Sequence, residues 1–372
     1  MQQSPNYRQG RFRNLFPISK IRVGRALRSF ARSSRYRRPK RPVPVVYRDP
    51  AHYLAPPASG LRVTWLGHST VLLEVDGRRF LTDPVWSRRA SPSPIAGPRR
   101  FFDVPLPLSE LPRLDAVILS HDHYDHLDLR TIRRLAASGT QGRAIFVTPL
   151  GVGAHLERWG VAPRRIVELD WWERTVVRGV TLVATPARHG SGRGLTDRDT
   201  TLWAGWAILG PRHRAYFSGD SGYAPTFAEI GRRFGPFDVT MIESGAYNAA
   251  WADFHMGPEQ AVQAHRDLRG RVLMPIHWGT FVLAPHGWTE PAERVRAAAG
   301  QRGVTAVIPR PGQSFEPASP PALTRWWPDH PWRTAAEAPV VSTLPAGHRI
   351  WSRLQPGPGY TERPPSSPNR LR

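Results

Sequence analysis

Three histidines and two aspartates crowd into six consecutive positions, His121-Asp122-His123-Tyr124-Asp125-His126. The run follows 116–120, an almost wholly apolar segment that reads as a buried strand. Polar groups packed so densely at a strand end need a shared partner, because burying them alone is costly. A divalent cation takes both imidazole and carboxylate. Side chains two positions apart on an extended loop face the same way, so His121 and His123 are expected to grip one ion. Asp125 and His126 follow after the chain turns and suit a second ion. Asp128 is suited to cap the next helix.

The chain has no cysteine, which excludes disulfides, thiolate metal sites and cysteine nucleophiles. Imidazole and carboxylate suit Zn²⁺ best and also accommodate Mn or Fe. Two divalent ions need more donors than one loop supplies, and the sequence offers them where other strands end. His189 closes Thr185-Pro186-Ala187-Arg188-His189, and Asp220 lies in the Gly-flanked turn Ser218-Gly219-Asp220-Ser221-Gly222. His277 follows Pro275-Ile276 in the same way. Each of these alone reads more readily as an ordinary surface or core residue. Beside the 121–126 loop they complete a set: His121, His123, Asp125, His126, His189, Asp220 and His277. Asp220 is the natural bridge, since a carboxylate has two oxygens to share.

Around these motifs, short β-rich runs are punctuated by Gly, Asp and Pro. Strands are expected over 62–65, 71–75, 79–82, 116–120, 144–148, 180–185, 206–209, 215–218, 239–242, 272–276 and 304–308. Asp76-Gly77 marks a hairpin. Helices are expected over 130–137, 152–159, 226–234, 258–268 and 291–299. Strands first, then strands mixed with helices, give an α/β chain of packed sheets with helices outside. The expected division is a basic, disordered arm over 1–48, a catalytic domain over 49–316, and a Pro-rich, mostly irregular tail over 317–372. Trp326, Trp327 and Trp332 are unusual for such a tail and suggest docking onto the body.

These residues, in this order, resemble the motifs of the metallo-β-lactamase superfamily. The resemblance implies a four-layer αββα sandwich, two mixed sheets flanked by helices. It implies that His121, His123 and His189 hold one ion, that Asp125, His126 and His277 hold the other, and that Asp220 bridges them. Asp83 would support the ligand loop. Further stretches are similar to N-acylphosphatidylethanolamine-hydrolysing phospholipase D and its bacterial relatives: Thr64-Trp65-Leu66-Gly67-His68-Ser69-Thr70, Leu81-Thr82-Asp83-Pro84, Gly97-Pro98-Arg99-Arg100-Phe101, Leu169-Asp170-Trp171-Trp172-Glu173, Arg233-Phe234-Gly235-Pro236-Phe237-Asp238, Gly245-Ala246-Tyr247 and Ile276-His277-Trp278-Gly279-Thr280-Phe281.

The activity so implied is hydrolysis of a phosphodiester in a phospholipid of the N-acylphosphatidylethanolamine type, with a phospholipase D outcome. The attacking group would be a hydroxide bridging two metals, which lower the pKa of water from 15.7 toward about 7. Asp125 and Asp220 are the carboxylates expected at the reacting centre. His255, in Phe254-His255-Met256-Gly257-Pro258-Glu259, is the candidate general acid and substrate contact, imidazole being the side chain that exchanges protons near neutrality. Tyr124 is a second candidate for substrate contact, and His68 a candidate to orient the imidazoles. Two departures bear on head-group preference: the segment between Tyr247 and His255 is shorter than in the animal lipase, and Phe254 stands where a polar residue is expected. A lactonase or other carboxylic ester hydrolase on the same metal pair is the competing reading.

A net charge of +23 would suggest nucleic acid, but its distribution argues otherwise. Residues 1–48 carry 14 basic residues and no acid, whereas 49–316 carry 31 basic and 26 acidic. Arginine accounts for 50 of the 52 basic residues, a bias that fits a GC-rich bacterial genome. No nucleic-acid module is recognisable, so a nucleic-acid processing or binding role is the weakest reading. No apolar run reaches the roughly 18 residues of a membrane span, and no secretory signal opens the chain. The expected location is the cytoplasm, with peripheral contact to the inner membrane face. Ile18, Ile21, Leu27 and Phe30 share a loose helical face among arginines, which suits an anionic lipid surface. Trp171, Trp172, Trp203 and Trp206 suit either core packing or an acyl groove.

Overall fold

The computed structural model describes residues 1, 3–19, 21 and 23–343. The arm begins with a hairpin, β1 (Tyr7–Arg8) and β2 (Arg11–Phe12), and continues into helix α1 (Val23–Ala31). One group of strands follows: β3 (Leu61–Gly67), β4 (Thr70–Val75), β5 (Arg78–Thr82), β6 (Ala116–Ile118), β7 (Ile145–Pro149) and β8 (Ile166–Leu169). The second group is β9 (Arg174–Val177), β10 (Val180–Pro186), β11 (Ala204–Leu209), β12 (Arg214–Phe217), β13 (Phe237–Glu243), β14 (Gly270–Ile276) and β15 (Thr305–Ala306). Strand β16 (Ser314–Phe315) returns to the first group. The remaining helices are α2 (Leu129–Ala137), α3 (Gly153–Arg158), α4 (Thr226–Phe234), α5 (Pro258–Asp267) and α6 (Glu290–Gln301).

Two seven-stranded mixed sheets result, in the orders β16-β3-β4-β5-β6-β7-β8 and β15-β14-β13-β12-β11-β10-β9. In each, one half pairs antiparallel and the other parallel. The period-two alternation of strands builds the layers. Val71, Leu73 and Val75 of β4 belong to the core between the sheets, whereas Leu72 belongs to the layer with Ile132 and Leu135 of α2 and Leu156 of α3. On the other sheet, Phe227 and Ile230 of α4, Val262 of α5 and Val295 of α6 extend the main core outward. This is the expected αββα sandwich. Among the described residues, no helix is long and apolar enough to cross a membrane.

Several expectations are corrected. The arm, expected to be disordered, is partly docked, because Phe12 and Phe16 are buried and its backbone bonds to the body (Phe12 N to Asp199 O, 2.7 Å). The tail needs no such correction: it is irregular over 317–343, and the docking suggested by its tryptophans is seen for Trp326 and Trp327, which pack on Trp278 with ring centroids 5.7 and 5.8 Å away. The part of the tail from 344 to 372 lies outside the described residues. Trp171, Trp203 and Trp206 are core residues whose indole N–H groups meet buried carbonyls, which removes them from any acyl groove. Strands β8 and β9, each at the edge of its sheet, were not anticipated. Each is only four residues long and buries only its last residue, Leu169 and Val177, so neither carries a long apolar run. The expected 304–308 strand shortens to Thr305–Ala306.

Candidate metal centre

All but one of the residues of the cluster stand at or just beyond the C-terminal end of a strand: His68 after β3, Asp83 after β5, 121–126 after β6, His189 after β10, Asp220 after β12, Glu243 at the end of β13 and His277 after β14, with His255 entering from the loop before α5. Strand carboxyl ends are where open α/β sheets collect ligands. The local backbone is unusual there. His68, Asp83 and His277 adopt φ of 54°, 33° and 64°, a region that non-glycine residues rarely occupy and that clusters at functional sites. The turn carrying Asp220 needs both its glycines. A Cβ on Gly219 would lie 2.5 Å from the Ser120 Cβ, and one on Gly222 would lie 2.1 Å from the Asp253 carbonyl oxygen.

The 121–126 loop is anchored from beneath. The Asp83 carboxylate accepts from Ser120 N (2.7 Å), Ser120 Oγ (2.5 Å) and His126 Nδ1 (2.7 Å). The chain then turns back through His126 N and Leu127 N, both bonded to His123 O, and Asp128 caps α2.

Three imidazoles converge on one side: His123 Nδ1 is 2.9 Å from His121 Nε2 and 3.2 Å from His189 Nε2. On the other side, Asp125 Oδ2 lies 3.0 Å from His68 Nε2, 3.4 Å from His126 Nε2 and 3.3 Å from His277 Nε2. Asp220 Oδ2 stands between the two groups, 3.1 Å from His126 Nε2 and His277 Nε2, 3.7 Å from His189 Nε2 and 3.9 Å from His121 Nε2. The structure thus brings all seven expected ligands into one buried cluster.

The donor chemistry fits cations. His121, His126 and His189 each engage Nδ1 elsewhere, with Ser120 Oγ, Asp83 and the Phe254 carbonyl respectively, which leaves Nε2 facing the cluster. Asp220 Oδ1 and His126 Nε2 are buried with no hydrogen-bond partner among the described residues. Burial, reinforced by neighbouring imidazoles, pushes His121 and His189 well below the usual histidine range, so both offer a neutral lone pair. Burial opposes ionisation of Asp125 and Asp220, yet the facing imidazoles hold both well below the carboxylate range. Burial likewise opposes charge on His277, but Asp220 and Asp125 raise it to about 10. The two carboxylates thus draw positive charge into this space.

A family model described as a β-lactamase superfamily domain matches residues 78–278, the span from β5 to the residue after His277. The chain belongs to the metallo-β-lactamase superfamily. As a member it is a metal-dependent hydrolase. It is similar to an uncharacterized protein of Mycobacterium tuberculosis, 53% identical over 335 residues and covering 88% of each chain. It is also similar to the N-acyl-phosphatidylethanolamine-hydrolyzing phospholipase D 1 of Caenorhabditis elegans, 41% identical over 242 residues, 62% of this chain and 67% of that one. Among solved structures, a metallo hydrolase from Ignicoccus hospitalis shares the fold at a TM-score of 0.52 and 23% identity, covering 69% of this chain and 98% of that one.

Other residues of this metallo-β-lactamase site depart from the sequence reading. His68, expected to orient imidazoles, lies within ligand distance of the Asp125, His126 and His277 donors, and burial pushes it down to about 3. Glu243 was not anticipated at all. It is fully buried, its Oε1 accepts from Ser221 N and Met256 N, and its Oε2 lies 2.8 Å from His255 Nδ1. Burial, with Asp220 nearby, raises Glu243 above the usual carboxylate range. A glutamate ending the apolar run 239–242 was the available signal. His255 reaches the cluster, with Nδ1 3.8 Å from Asp220 Oδ2 and its ring stacked 5.3 Å from His277. Tyr124 does not turn its hydroxyl to the cluster. That hydroxyl donates to Arg193 O (2.7 Å), and the Arg193 guanidinium covers the ring at 4.0 Å. Asp122 likewise points away, accepting from Gly192 N and Thr201 Oγ1.

Proposed function

We propose that this hydrolase cleaves a phosphodiester with a phospholipase D outcome, on a phospholipid of the N-acylphosphatidylethanolamine class. The observation that carries the reading is Asp220 Oδ2 standing between two separate donor groups, His121/His123/His189 and Asp125/His126/His277. That arrangement suits a pair of divalent ions, with Zn²⁺ preferred by the donor set and Mn or Fe compatible. The nematode relative, whose name states this activity, supplies the substrate class. Such ions, when bound, supply Lewis acidity and lower the pKa of water. The protein's own groups do the rest. Burial of the cluster excludes bulk solvent, and the Nδ1 partners fix the imidazoles. Glu243 holds His255 through Nδ1, which presents Nε2 for proton donation to the departing alkoxide.

The test is purified full-length protein on an N-acylphosphatidylethanolamine in mixed micelles, beside a lactone panel. Release of phosphatidic acid and N-acylethanolamine, lost on chelation and restored by metal, is the expected result, with about two ions per chain. Chelator-sensitive turnover of a lactone with none on the lipid would replace this reading by the lactonase one.

A further inference from the structure

Helix α1 differs from the other α-helices of the described residues. Among the described residues it is the one α-helix with no buried side chain. Its apolar residues nevertheless form a stripe: Val23, Leu27 and Phe30 recur at helical spacing and leave Val23 65% and Leu27 66% exposed, with Ile21 just ahead also exposed. Arg25, Arg28 and Arg32 recur at the same spacing on the opposite side. The segment 1–48 contains no acid to neutralise them. The helix rests on the body by a narrow edge. Ser29 Oγ reaches Asn248 Oδ1 at 3.4 Å, and the Phe30 ring stacks 6.0 Å from Trp251. Asn248 and Trp251 belong to the segment joining Glu243 to His255, so α1 rests on the stretch of chain that carries the candidate acid.

From this we infer that α1 is an interfacial anchor that lays its Val23/Leu27 stripe into an anionic lipid surface and holds the candidate centre against it. The inference rests on the lipid reading above for its purpose, but not for its physics. Phe30 finds a partner in Trp251, but a solvated surface helix has no use for the exposed Val23 and Leu27 beside it, and a protein partner would not require an opposite, cationic face free of acid. An anionic bilayer meets both conditions at once: acyl chains accept the apolar stripe and head groups accept the guanidinium groups. The short contact with the 248–251 segment would then place the lipid surface next to His255.

The experiment is sedimentation of the full chain with vesicles of phosphatidylcholine alone or mixed with phosphatidylglycerol, at low and high salt. The wild type should bind the mixed vesicles, more weakly at high salt, and bind phosphatidylcholine weakly. Val23→Glu/Leu27→Glu should weaken binding at least tenfold. Arg25→Gln/Arg28→Gln/Arg32→Gln should weaken it about a hundredfold, taking each arginine near the surface as worth roughly fivefold. Neither set touches a buried residue, so folding and hydrolysis of a small water-soluble phosphodiester should be unchanged. That second assay keeps the two ideas apart: loss of soluble turnover in the wild type would sink the catalytic reading and leave vesicle binding standing. Wild-type protein that ignores anionic vesicles would overturn the anchor. So would apolar substitutions without effect, or arginine-dependent binding to duplex DNA that the apolar substitutions leave intact.

Discussion

Asn14, far from the ligands in sequence, grips one of them by its backbone. Its Oδ1 accepts from His189 N (3.0 Å), its Nδ2 donates to His189 O (2.7 Å), and Trp203 Nε1 donates to the same Oδ1 at 3.3 Å. Asn14→Ala removes all three bonds. An unsatisfied buried polar group costs about 1–3 kcal/mol, but Asn14 itself is only half-buried, so water can replace part of the loss. A net of about 1.5–3 kcal/mol is therefore expected, equivalent to a 10- to 100-fold loss of affinity, the usual range for removing an outer-shell partner. On the two-ion reading proposed above, the loss should fall on the ion assigned to His121, His123 and His189 and spare the one assigned to Asp125, His126 and His277. Competition with a chromophoric chelator resolves the two binding steps. Asn14→Asp keeps the acceptor but not the donor and should fall between. Two binding constants within threefold of wild type, in a variant whose circular dichroism is unchanged, would refute the idea that the arm orders this ligand.

Two further outcomes follow from the geometry. If His255 protonates the leaving oxygen, His255→Gln should lower kcat by about 10²–10⁴ on a phosphodiester with an alkoxide leaving group, and far less on one with a nitrophenolate; equal losses on both would remove its acid role. His265 is buried against Thr240 Oγ1 (2.7 Å), and burial lowers it from 6.5 to about 4. Its folded value is depressed, so the neutral ring contributes stability fully above about pH 6.5, and that contribution fades as pH falls toward about 4, up to roughly 3 kcal/mol. Urea midpoints at about pH 7 and pH 4.5 should therefore differ less in His265→Gln than in the wild type at equal metal content; identical differences would mean the histidine is not a linkage group.

How much of this was legible follows from how each residue signals. The 121–126 run announces itself because five donors fall in six positions, and no polar loop needs that. His189, Asp220 and His277 are single residues, readable only because each ends an apolar strand and because the first loop demanded partners. Leu72 against Val71 and Leu73 shows why the sandwich was legible too: strict alternation with apolar residues on both faces requires a layer on each side of the sheet. Glu243 escaped because it terminates β13 as an ordinary polar strand end, and its burial depends on β12, β14 and the 253–257 segment closing over it. Tyr124 was misread for the opposite reason. Its place inside the ligand loop suggested substrate, but the turn that begins at His123 carries its ring outward under the Arg193 guanidinium and its hydroxyl to the Arg193 carbonyl.

The arm carries the most physical information of all these departures. Its composition, rich in arginine and free of acid, reads as a solvated tail because composition averages over Phe12, Asn14 and Phe16. Those three residues decide the outcome locally, two by burial and one by bonding to both sides of His189. Farther along, Ser19 N bonds to Asp253 Oδ2 at 2.9 Å, and Asp253 pairs with Arg188 at 2.8 Å. Arg188 and Asp253 lie one and two positions from His189 and His255. The same arm therefore holds the segments bearing a metal-facing histidine and the candidate acid, and its next helix presents an apolar stripe outward. A chain whose basic arm served only solubility would have no reason to tie it to those two loops.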